Sequence, residues 1–125
     1  MSKNITILVV EPGRKPRQVT MEHTLENLQN MVGGHIQAIY PWKDHAALVC
    51  NDDGVALDLP FNRYVQEGGY GPIMGNFFIC GLGCEDFISL TEEQLARYAQ
   101  RFALAEMIFL TAEDRVAVVP IPPFD

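Results

Sequence analysis

Only two stretches of this chain carry the spacing of an amphipathic helix, residues 25–32 and residues 92–105. The other apolar stretches are short runs bounded by glycine, proline, asparagine or aspartate. Runs so short and so punctuated read as strands. Strands in succession, with too few helices to alternate with them, disfavour a doubly wound parallel sheet. The expected fold class is α+β: a single domain over residues 1–125, with a mainly antiparallel sheet and two principal helices.

The first helix has both of its end signals. Thr24 can accept a bond from one of the unpaired first-turn amides. Leu25, Leu28, Met31 and Val32 then form one apolar face, with Glu26, Asn27, Gln29 and Asn30 pointing away. Gly33 follows at the place where a left-handed residue ends a helix, and Gly34 lets the chain turn sharply into the strand at residues 35–40. Pro41 stops that strand, since proline donates nothing to a ladder. The second helix opens with Thr91-Glu92-Glu93-Gln94, a capping box, and places Leu95, Tyr98, Ala99 and Phe102 on one face.

Between and around the helices, residues 4–10 are almost wholly apolar and β-branched, as in a strand covered on both faces. Residues 17–20 read as its antiparallel return. Residues 46–50 form another buried strand, and Asn51-Asp52-Asp53-Gly54 a hairpin turn with Gly54 at a positive backbone angle. Val55-Ala56-Leu57 is then expected to pair back. Residues 64–75, with Gly68, Gly69 and Gly71, read as a long irregular loop, and such loops are often functional. A strand follows at residues 76–80, and residues 107–110 and 116–119 form a hairpin. The Pro-rich tail, residues 119–125, is expected to be extended.

The order of blocks in this pattern resembles a known family. Val9-Val10-Glu11-Pro12-Gly13, Val32-Gly33-Gly34-His35-Ile36, Asn51-Asp52-Asp53-Gly54, Leu59-Pro60-Phe61-Asn62-Arg63 and Gly75-Asn76-Phe77-Phe78-Ile79-Cys80-Gly81-Leu82 carry the likeness. The family is the bacterial and phage one called domain of unknown function 3846. The resemblance covers almost the whole chain and implies a bacterial or phage setting, often on mobile elements. It brings no catalytic residue with it.

Charge bears on partners. Sixteen acidic residues against nine basic ones give a net charge of −7, and most of the excess lies after residue 63. Phosphate contacts need concentrated lysine and arginine, so direct nucleic-acid binding is not expected. Glu92-Glu93, Glu113-Asp114 and Asp52-Asp53 fall at caps and turns, where carboxylates have local reasons to be, which weakens a reading of DNA mimicry. No apolar run approaches the roughly 20 residues of a membrane span. The N-terminus lacks the apolar core of a signal peptide, and three cysteines are an odd number for a disulfide framework. The expected location is the cytoplasm, with reduced thiols and no membrane association.

No catalytic constellation is legible. Cys80 and Cys84 are four apart, but Cys50, His23, His35 and His45 supply no second pair, so no metal is expected. The glycine-rich pieces lack the phosphate-loop ending, and no cofactor is expected. The residues singled out for binding are Asn62, Arg63 and Tyr70; those singled out for structure are Gly33, Gly34 and Gly54. Asn62 suits a structural corner, whereas the arginine fork can serve a local carboxylate or a ligand. The favoured reading is a non-enzymatic protein-interaction or accessory module of a phage or mobile element, with an unknown protein partner. The alternative is a small-ligand binder or enzyme with a polar pocket near Arg63. A deep pocket with convergent titratable groups would favour the second, an exposed apolar patch the first.

Overall fold

The computed structural model describes residues 3–124. Met1, Ser2 and Asp125, the extremes of the expected N-terminal segment and Pro-rich tail, lie outside the described residues. Strands β1 (Asn4–Val10), β2 (Arg17–Glu22), β3 (Ile36–Ile39), β4 (Ala46–Asn51), β7 (Phe77–Leu82) and β8 (Phe87–Ile88) build the main sheet. Its order is β2-β1-β7-β4-β3, with β8 added on β7, and every pairing is antiparallel. Strands β5 (Phe61–Val65) and β6 (Gly71–Met74) make one two-stranded sheet, and β9 (Ala105–Leu110) and β10 (Val116–Ile121) another. The helices are α1 (Leu25–Val32) and α2 (Glu92–Arg101). The class is α+β.

Alternation along β1 explains why the main sheet is covered twice. Ile5, Ile7 and Val9 point to one face, where Leu28 and Val32 of α1 pack with Val49, Phe78 and Cys80. Leu8 and Val10 point to the other, where Tyr98 and Phe102 of α2 join Val65, Ile73 and Phe77. The strand expected to be apolar on both sides is buried on both sides. Among the described residues no helix is long and apolar enough to cross a membrane.

The helix ends follow the local signals. The Thr24 hydroxyl accepts from the Asn27 amide at 3.1 Å, and Thr91 and Gln94 complete the capping box at 3.0 and 3.1 Å. Gly33 sits at φ 76°, ψ 24°, and its amide donates to Gln29. A Cβ there would meet nothing within 4 Å, so a substitution is opposed by backbone strain alone. Gly33→Ala should therefore cost about 1 kcal/mol, read as a lower urea midpoint with an unchanged m-value. An unchanged midpoint would contradict the left-handed cap. Gly34 serves proximity instead: a Cβ would lie 2.9 Å from Nδ2 of Asn51, which donates to the Val32 carbonyl at 3.0 Å.

Several local expectations are corrected. Val55-Ala56-Leu57 does not pair back; residues 52–58 are a run of turns, in which Asp58 rather than Gly54 takes the positive φ, at 54°. Gly54 is needed for a close approach, since a Cβ would meet the Met74 carbonyl at 2.9 Å. Residues 64–75 are not one irregular loop: β5 and β6 pair across a short 3-10 turn at Glu67–Gly69. The glycines there bend a hairpin. The second helix ends at Arg101, because Ala105 is already paired with Ile121. Much of the Pro-rich tail is strand β10, and beyond it the Phe124 amide donates to the Gly13 carbonyl at 2.8 Å. Pro120 is tolerated because a two-stranded sheet consists of edges.

Candidate functional site

Asn62 and Arg63 lie in β5, beside an irregularity in its pairing with β6, and both are fully buried. The Asn62 amide donates to the carbonyls of Val10 and Gly75, each at 2.9 Å. Its side-chain oxygen accepts from Nη1 of Arg63 at 2.8 Å. Nη2 of Arg63 donates to the carbonyls of Arg14 at 2.7 Å and Phe102 at 3.0 Å. One residue pair thus ties together the end of β1, the turn after it, the start of β7 and the end of α2. Burial pulls the Arg63 pKa below its ordinary value, Glu106 opposes that, and Arg101 adds to it. Nε of Arg63 is the buried side-chain polar atom without a hydrogen-bond partner among the described residues. A guanidinium is retained here at a cost because two distant backbone carbonyls and the Asn62 side chain need its donors.

A second polar cluster lies nearer the surface. Arg101 grips Glu67 through Nε at 2.8 Å and Nη2 at 2.9 Å, and the Trp42 indole donates to the same carboxylate at 2.9 Å. The bond from Arg101 is the main reason that Glu67 is pulled down to about 2; partial burial opposes the shift and Trp42 adds to it. Oε1 of Glu106 accepts from the Tyr64 amide at 2.7 Å. A cavity of about 540 Å³ is bounded by Tyr64, Glu67, Arg101, Glu106, Val118 and Pro120. Its charged groups already hold one another or the backbone, and Arg63 does not line it.

Tyr70 is set apart from the buried pair. Its ring is 42% exposed, and its hydroxyl accepts from the Tyr40 amide at 3.3 Å. It lines a different cavity, of about 550 Å³, together with Gln37, Ile39, Asp52, Asp53 and Pro72. The structure therefore brings Asn62 and Arg63 together in the interior and leaves Tyr70 on a surface groove. Among the described residues no three His, Cys, Asp or Glu side chains are grouped to hold a metal ion. Cys50 and Cys80 are buried free thiols, pushed up to about 11 and about 12 mainly by that burial, while Cys84 is exposed.

The feature that sequence reasoning missed is the outer face of the β9–β10 hairpin. Register sets Met107 opposite Val119 and Phe109 opposite Ala117, so these side chains share a face. That face is open: Met107 is 53% exposed, Phe109 48% and Val119 40%. Leu110 and Val116 are also exposed, next to the turn and at the opposite parity, and Leu104 is exposed just before β9. The other side lies toward β5, where Glu106 holds the Tyr64 amide. A run apolar at both parities ordinarily reads as a strand buried on both sides. Here the side of Met107 and Phe109 stays open, and no feature of the sequence marks it.

No curated protein and no solved structure matches this chain. The family model described as Domain of unknown function (DUF3846) matches residues 5–103, from β1 through α2, and the chain belongs to that family.

Proposed function

We propose that the chain is a protein-interaction module whose docking surface is the outer face of the β9–β10 hairpin. The observation that supports this most is the exposure of Met107, Phe109 and Val119 on one face of a strand pair. Contiguous apolar surface of this kind marks interaction sites in monomeric proteins. The hairpin lies beyond residues 5–103, which the family model matches. A net charge of −7 sets two copies against each other and favours a partner whose apolar contact is ringed by basic side chains. A bacterial or phage setting, often on a mobile element, is what the family resemblance suggests, and an accessory role there fits this reading. A ligand pocket near Arg63 is the weaker reading, since the polar groups there are spent on one another.

The test is a double substitution, Met107→Ser with Phe109→Ser. Both side chains are about half exposed, so the melting temperature should move by no more than a few degrees. Partners that the unaltered chain captures from its native extract should be lost. Undiminished capture by the folded double variant would overturn the proposal.

A further inference from the structure

Strand β3 ends the main sheet, and among the described residues its outer edge pairs with no other strand. The Asp52 amide donates to the His35 carbonyl at 2.8 Å, in line with the register of Ile36 opposite Asn51. In an antiparallel ladder, bonded and non-bonded pairs alternate. The peptide groups of residues 35, 37 and 39 therefore face β4, and those of Ile36, Ala38 and Tyr40 face outward. The Tyr40 amide is met by the Tyr70 hydroxyl, which stands where a neighbouring strand's carbonyl would stand.

Beside this edge lies the groove of about 550 Å³. Its floor and wall are Ile39, Pro72, Ile73 and Met74, and its rim carries Asp52 and Asp53, both exposed, with no lysine or arginine lining it. His35 approaches Asp53 at 3.9 Å from the same end of β3. We infer that the β3 edge and this groove take an extended peptide segment of a partner protein, added as a further strand, with apolar and basic side chains two positions apart on its groove-facing side. The peptide groups of Ile36 and Ala38 supply the main-chain bonds, as in other cases of strand addition. Alternate side chains of the added strand fall on the groove side, where Ile39, Ile73 and Tyr70 receive an apolar group and Asp52 and Asp53 a basic one. Tyr70 closes the end of the site. This goes beyond the hairpin face, which is a different element recognising a surface rather than a strand.

The test uses the full chain and the acetylated, amidated hexapeptide Lys-Thr-Val-Thr-Lys-Thr, which puts lysine and valine on one face, followed by amide exchange and chemical shifts in nuclear magnetic resonance. The expected result is slowed exchange at Ile36 and Ala38 with shifts at Tyr70, and binding at least about tenfold tighter than that of the counterpart with glutamate in place of both lysines. Asp52→Asn with Asp53→Asn should weaken the lysine peptide by a similar factor and leave the fold intact. Ala38→Pro, which removes an outward amide and no β4 bond, should abolish binding. The inference is overturned by no binding, by equal binding of the glutamate peptide, or by protection mapped to the β9–β10 hairpin. Protection of Ile36 and Ala38 that grows with protein concentration alone would assign the edge to a second copy, which also overturns it.

Discussion

Arg63→Met should destabilise the fold by about 3–5 kcal/mol, the largest effect expected of any single polar substitution in this chain. Methionine keeps most of the volume and removes the donors. The carbonyls of Arg14 and Phe102 and the side-chain oxygen of Asn62 then lose bonds of 2.7, 3.0 and 2.8 Å, the last two of them buried. Ending the burial of a charge and of the unpaired Nε offsets part of this loss. The carbonyls remain in place, however, and no apolar partner replaces them, so the balance stays unfavourable. Equilibrium urea unfolding reads the change, with Arg63→Lys recovering only part of it because one ammonium cannot reach three segments. A midpoint equal to that of the unaltered protein would refute the structural role. This assignment also separates two residues that sequence reasoning grouped together: substitution of Arg63 should threaten folding, while substitution of Tyr70 should leave it intact.

Phe102→Ala is expected to cost about 3–5 kcal/mol as well, by a different route. The ring is fully buried at the end of α2, edge-on to Phe77 with centroids 5.2 Å apart and near Trp42 at 6.2 Å. The Arg101 guanidinium lies over it, 4.5 Å from the centroid. Removing the ring leaves a cavity between layers that are held apart by a β-sheet and cannot close, so transfer and cavity costs add. A melting temperature lower by roughly 10 °C or more is the expected measurement. A shift of only a degree or two would mean that this face of the sheet is looser than its packing indicates.

The parts of the fold that were legible in the sequence are those governed by neighbours in the chain. Thr24, Gly33 and the Thr91–Gln94 box specify helix ends through atoms a few residues apart, and the almost wholly apolar run in residues 4–10 specifies a strand buried twice. The parts that were misread depend on distant partners. Residues 64–75 look irregular because Gly68, Gly69 and Gly71 bend the chain, yet pairing of Phe61 with Met74 makes a hairpin of them. Arg63 gives no local sign of burial, since its partners Arg14 and Phe102 are 49 and 39 residues away. The exposed face of the hairpin was hidden for the opposite reason. Met107 and Phe109 look like core residues, and only the three-dimensional arrangement shows that they are about half exposed among the described residues.

The docking surface on that hairpin is tested most directly by light-activated crosslinking. Benzoylphenylalanine would replace Phe109 in one preparation and Glu26, exposed on α1 against the opposite sheet face, in another. The expected result is one dominant adduct from position 109, absent from position 26, whose crosslinked peptide is apolar and flanked by basic residues. Equal adducts from both positions, or none from position 109 in extracts where the unaltered chain captures a partner, would contradict the hairpin as the functional surface.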